Sequence, residues 1–127
     1  MDKAEFSQIL HHLGKTQAQI AQLLGVSPKA IQSFEQGWRN IPTHVERHLL
    51  LLLFLRMPTD KRDVLCWSMR KCHAKTRHNC PAWEFRVGQL CWFINGTICQ
   101  GETQQNWQEK MTLCRQCEVF RAIMSLD

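Results

Sequence analysis

The sequence predicts a mainly α protein of two small modules. An N-terminal helix-turn-helix bundle is expected over 1–57, and a cysteine-rich, metal-binding helical module with a short β-hairpin over 65–127, with a basic connector at 58–64 between them. Three observations carry this. Apolar residues recur at helical spacing through the first 57 positions and are punctuated by Gly14, Gly25 and Gly37. All seven cysteines lie beyond residue 65, at 66, 72, 80, 91, 99, 114 and 117. The basic surplus sits between the two patterns. At 127 residues and 44% hydrophobic, the chain suffices for one ordinary domain or two very small ones. Pieces of roughly 60 residues are marginal on core burial alone and often need a metal, disulfides or oligomerisation.

Each N-terminal helix has its own start and stop. Ala4 to Leu13 places Phe6, Ile9, Leu10 and Leu13 on one face, with Gly14 as the stop. Thr16 is a good N-cap for a second helix, with Gln19 at the reciprocal capping-box position and Ile20, Ala21 and Leu24 as the inner face. Gly25 makes the tight turn. Ser27 caps a third helix with Pro28 at its first position, Ala30, Ile31 and Phe34 facing inward, and Gly37 closing it. Pro42-Thr43 starts a fourth helix through Val45, Leu49, Leu52 and Phe54 to about Arg56. Two short helices joined by a glycine turn are the helix-turn-helix pattern. His44 and His48, four apart on the fourth helix, read as a solvated pair.

The stretch from Thr16 to Ser27 (TQAQIAQLLGVS), followed by Ile31, Phe34-Glu35-Gln36-Gly37 and Arg39, closely resembles the lambda-repressor/Cro-like (XRE) helix-turn-helix family over about residues 4–57. The resemblance implies a five-helix-type DNA-binding domain, often dimeric, with the helix from Ser27 to Gln36 in the major groove of double-stranded DNA. Carried over by position, Gln17 and Ser27 approach backbone or bases, Lys29, Gln32 and Ser33 face the groove, and Arg39 reaches phosphate. The chemistry agrees: Gln binds adenine N6/N7, Lys favours guanine O6/N7, and helix N-termini suit phosphate oxygens. The chain departs from the family at Leu10, where many members carry an arginine that pairs with the later glutamate. Glu35 is then expected to find another partner, such as Arg39, or to stay partly solvated.

Net charge is +5, unevenly spread. Residues 1–57 hold 6 basic and 4 acidic side chains, residues 58–79 hold 6 and 2, and residues 80–127 hold 4 and 5. The middle surplus, Lys61, Arg62, Arg70, Lys71, Lys75 and Arg77, suits phosphate contact, or compensation of nearby thiolates. The polar start Met-Asp-Lys-Ala-Glu has no signal-peptide core, and the apolar run Leu49–Leu55 is too short for a bilayer. A cytoplasmic protein with no membrane partner is expected. There, clustered cysteines serve more often as metal ligands or redox thiols than as structural disulfides, and an odd count excludes complete internal pairing. The Leu49–Leu55 run is also more apolar than one helix face requires, which points to a cover for the cysteine block or a homodimer interface.

Within the cysteine block, Asn95-Gly96 between Trp92-Phe93-Ile94 and Thr97-Ile98 predicts a hairpin. Glu102 to Leu126 predicts one final helix carrying Trp107, Met111, Cys114 and Cys117 along one face. The series Cys66-Trp67, Cys72, Cys80-Pro81-Ala82, Gly88, Cys91-Trp92, Gly96-Thr97, Cys99, Gly101, Lys110, Cys114, Cys117 resembles the cysteine-rich two-CW domain of bacterial signalling proteins over about 65–121, with a short segment between Cys72 and Cys80. That resemblance implies a sensory or regulatory accessory domain and fixes no ligand. Only one C-x2-C knuckle is present, against the two of an ordinary zinc ribbon. Iron–sulfur clusters tolerate scattered cysteines and a Cys-Pro ligand. A 4Fe-4S-type cluster is therefore favoured, Zn2+ is the alternative and metal-free redox thiols the third reading. All seven cysteines are candidate ligands, and Cys91, Cys99, Cys114 and Cys117 are the first choice for one four-ligand site. No Ser/His/Asp arrangement, paired carboxylates or phosphate-binding glycine loop points to an enzyme or a small-molecule substrate. The expectation is a DNA-binding transcriptional regulator that senses redox or metal state. An adaptor or antitoxin-like interaction module with structural zinc is the alternative.

Overall fold

The computed structural model describes residues 1–58, 65, 78–99 and 102–124, and the chain divides into two compact units, Met1–Arg56 and Met57–Ser125. The connector at 58–64 from Thr59 on, its basic continuation through Arg77, Cys66-Trp67 and Cys72 lie outside the described residues, as does Leu126. Described secondary structure is mainly helical, and no described helix is long and apolar enough to cross a membrane.

In the first unit, α1 spans Lys3–Leu13, α2 Gln17–Leu24, α3 Pro28–Gln36 and α4 Thr43–Arg56. Local chemistry sets each boundary. Asp2 Oδ1 accepts the Glu5 amide at 2.8 Å, and Thr16 and Gln19 form a reciprocal capping box at 3.1 and 3.0 Å. Ser27 Oγ accepts the Ala30 amide at 3.1 Å, with Pro28 at the first helical position. Between α2 and α3, Gly25 takes φ +71°, a left-handed conformation that costs a side-chain-bearing residue about 1–2 kcal/mol. The turn re-aims the chain so that α3 packs on both α2 and α1.

The core of this unit is Phe6, Ile9, Leu10 and Leu13 of α1, Ile20 and Leu24 of α2, Ile31 and Phe34 of α3, and one stripe of α4. Phe6 and Phe34 meet edge to face, with centroids 5.8 Å apart. On α4 the buried residues are Val45, Glu46, Leu49, Leu50, Leu53 and Phe54. Leu52, expected inside, is half-buried, because Leu49 and Leu53 occupy the inward row one turn apart. Buried Glu46 is neutralised by the Met1 amino group at 2.7 Å.

The second unit is built from short pieces: α5 (Pro81–Glu84), a 3-10 turn (Gly88–Leu90), β1 (Ile98–Cys99), β2 (Glu102–Thr103), α6 (Trp107–Cys114) and α7 (Glu118–Met124). Its core includes Trp92, Trp107, Met111, Val119, Phe120 and Ile123. Trp92 is fully buried and meets Phe120 edge to face at 6.1 Å.

Two expectations are corrected here. The hairpin does not wrap Asn95-Gly96: Trp92 and Phe93 continue the 3-10 turn, with the Phe93 amide donating to Leu90 O at 2.9 Å. The Trp92 indole N–H donates to Gln89 O, three residues back, at 3.2 Å, so a tight turn, not a strand, satisfies it while the ring is buried. Antiparallel pairing falls later, Ile98 opposite Thr103 and Cys99 opposite Glu102. The final helix is also not continuous. Glu102-Thr103 is taken by β2, the Asn106 side chain caps α6 through the Glu109 amide at 2.9 Å, and a turn at Arg115–Cys117 separates α6 from α7.

Candidate nucleic-acid interface and thiol cluster

With Ala30, Ile31 and Phe34 turned into the core, α3 leaves Lys29 and Gln32 exposed, three residues apart and hence on one outward face. Ser33 is half-buried beside them. The other expected contact residues have intramolecular work. Ser27 spends its hydroxyl on the α3 cap, which leaves its backbone amide at the helix start. Gln17 Nε2 donates to Glu35 Oε1 at 3.0 Å, tying the first turn of α2 to the last turn of α3. Glu35 thus has another partner and stays half-exposed, the partner being Gln17 in place of Arg39. With Gln17 as the partner of Glu35, the Arg39 guanidinium lies 5.5 Å from the centroid of the Phe34 ring.

Arg39 follows a backbone held by Gly37, whose φ of +79° ends α3. A Cβ added at Gly37 would stand 2.9 Å from Lys3 Cδ, so the lysine stem lies across the glycine and adds a second cation at this end of α3. Trp38, 70% exposed between them in sequence, went unnoticed in the sequence pattern. Its signal was an aromatic placed directly after a helix-ending glycine, where no core position follows.

In the second unit, five cysteines fall within the described residues, and none is in a disulfide. Cys80, Cys91 and Cys114 are buried, and Cys99 and Cys117 are half-buried. Cys80 Sγ accepts the Ile98 amide at 3.3 Å, which holds the start of α5 against β1. Cys114 closes α6, and the Cys117 amide donates back to Cys114 O at 2.9 Å in the turn before α7. Burial pushes the Cys114 thiol up to about 11; Lys110 opposes this, while Cys99 and Cys117 add to it. Cys99, Cys114 and Cys117 are thus electrostatic neighbours, and Lys110 is in the same neighbourhood.

Lys110, named in the sequence only as a member of the two-CW-like series, had no role assigned there. It lies one turn before Cys114 on α6, is only 2% exposed, and its ammonium donates to the hydroxyl of Thr97, itself 1% exposed. The Thr97 Oγ1 atom lies 3.9 Å from Cys99 Sγ. A lysine at helical spacing reads as solvated, and only the partner 13 positions away reveals its burial.

Among the described residues, no three Cys, His, Asp or Glu side chains stand close enough together to hold a metal ion. Cys99 and Cys117 act electrostatically on Cys114, and the buried Lys110 does so from one turn back on α6, but these thiols do not by themselves form a metal-holding group. In comparisons with protein-family models, curated proteins and solved structures, nothing matches this chain.

Proposed function

We propose that the chain is a sequence-specific DNA-binding transcriptional regulator of lambda-repressor/Cro-like type. In this reading its cysteine-rich, two-CW-like unit carries a thiolate-bound metal centre, an iron–sulfur cluster in preference to zinc. The carrying observation is α3: capped by Ser27, stopped by Gly37 and held to α2 through Gln17–Glu35, it presents Lys29 and Gln32 outward on a rigid support. A helix of this kind enters a major groove with its N-terminal residues on base edges. Lys3 and Arg39 at its other end suit phosphates, which position a protein without reading sequence. Homodimerisation sets the spacing of two half-sites, and the state of the metal centre sets affinity or dimer geometry.

Selection from a random duplex library, followed by affinity measurement at fixed salt, tests the DNA reading. Gln32→Ala is expected to weaken the selected site by about 1–3 kcal/mol and to relax preference at one base pair. Lys29→Ala weakens binding and lowers its salt dependence if the lysine meets phosphate. Selection that enriches no sequence refutes the proposal.

A further inference from the structure

Resting on the proposal that α3 enters duplex DNA, we infer that Trp38 is an apolar anchor on the sugar–phosphate wall of that groove. Its ring lies against a deoxyribose, its indole N–H donates to a phosphate oxygen, and Lys3 and Arg39 take the phosphates beside it.

The backbone fixes where Trp38 stands. The Trp38 amide donates to Ser33 O at 3.0 Å and the Gly37 amide to Phe34 O at 3.3 Å, with Gly37 at φ +79°. This is the Schellman ending of a helix, in which the residue after the glycine commonly packs on an apolar side chain five or six positions back. In this chain those positions hold Ser33 and Gln32, both polar. The motif therefore sets Trp38 beside the outward residues of α3 and supplies no apolar partner there. The residue is 70% exposed, and among the described residues its ring meets no other ring and its indole N–H meets no acceptor.

A single exposed apolar side chain is ordinary on a protein surface. The charges around this one point to a ligand. Lys3 Nζ lies 3.6 Å from where a Cβ of Gly37 would stand, so an ammonium sits beside the turn. Arg39 follows Trp38, with its guanidinium 5.5 Å from the centroid of the Phe34 ring. Neither cation pairs with a carboxylate among the described residues. An amphipathic ring between two such cations complements a chain in which apolar sugars alternate with anions. Base edges are read from the N-terminal part of such a helix, so a residue beyond its C-terminus meets the wall of the groove and not its floor.

A contact with sugar carries no sequence information, and a neutral indole displaces no counter-ion from the DNA. The test uses the full chain and two duplexes of equal length, the one that selection returns and a scrambled one, with affinities measured over a range of low salt concentrations. Trp38→Ala is expected to weaken both duplexes about tenfold, the scale of a large apolar side chain partly removed from water, with the salt dependence unchanged. Lys3→Ala and Arg39→Ala each reduce the slope of log affinity against log salt by about 0.9. Trp38→Phe, which keeps an aromatic ring, retains most of the affinity, and the urea midpoint of Trp38→Ala stays at that of the unaltered chain. Unchanged affinity of Trp38→Ala overturns the inference and leaves the ring for a protein surface. A loss confined to the selected duplex also overturns it, by making Trp38 a base reader. So does a fall in the urea midpoint alongside the affinity, which makes Trp38 a structural residue. If the unaltered chain binds neither duplex, the DNA proposal itself is rejected and this inference with it.

Discussion

Between Lys110 and Cys114, one turn apart on α6, the fold sets two opposing influences on a single thiol. Burial favours the neutral form of Cys114 and the nearby ammonium favours the thiolate; burial wins, and the thiol is pushed up to about 11. The folded protein therefore holds this proton more tightly than the unfolded chain, where an ordinary value of 9.0 applies. The resulting stabilisation is complete below about pH 9 and is lost as pH rises toward about 11. At roughly 1.4 kcal/mol per unit, the loss reaches about 3 kcal/mol. Urea unfolding of the metal-free, reduced protein across that window should show this fall, and Cys114→Ala should flatten it. Parallel profiles for the two proteins would contradict the assignment. The local sequence did not announce this thiol's environment, because its largest determinant is burial, to which the electrostatic effect of Cys99 from β1 adds.

At the scale of elements, legibility followed the range of the forces involved. Helices α1 to α4 were readable almost to the residue because Thr16 with Gln19, Ser27 with Pro28, and Gly14, Gly25 and Gly37 act within one turn of the boundaries they set, whereas the Asp2 cap that starts α1 went unread. The second unit was readable in content and wrong in outline. Trp92 takes a turn instead of a strand because its ring is buried against Phe120, 28 positions later, a demand that the local Asn95-Gly96 signal cannot express. The break at Arg115–Cys117 lacks any glycine or proline, so the pattern of helix formers ran straight through it. The glycine turn between α2 and α3 offers a clean test of the local account. An added Cβ at Gly25 meets no atom within 4 Å, so Gly25→Ala exposes the backbone cost alone. A loss of about 1–2 kcal/mol is expected by urea unfolding of the helical signal, and a smaller loss for Gly25→Asn. Equal stability for all three proteins would mean that the left-handed turn does not hold this junction.

For the whole molecule, the sequence placed a capped helical unit before a thiol-rich one, and the described structure places the candidate chemistry within each. The first unit presents Lys29 and Gln32 on α3, with Lys3 and Arg39 at that helix's far end. In the second, Cys99, Cys117 and Lys110 all act electrostatically on the buried Cys114. The central claim links them: DNA binding by the first unit responds to the centre held by the second. Cys66, Cys72 and the basic stretch through Arg77 lie between the two sets in sequence. The direct measurement is DNA affinity of the full chain at one salt concentration, with protein purified without oxygen and then stripped of metal, on the sequence that selection returns. The account predicts a reproducible difference of at least about tenfold, equivalent to about 1.4 kcal/mol, between the metal-loaded and stripped forms. Indistinguishable affinities and stoichiometries for the two forms would contradict it, even with specific DNA binding intact.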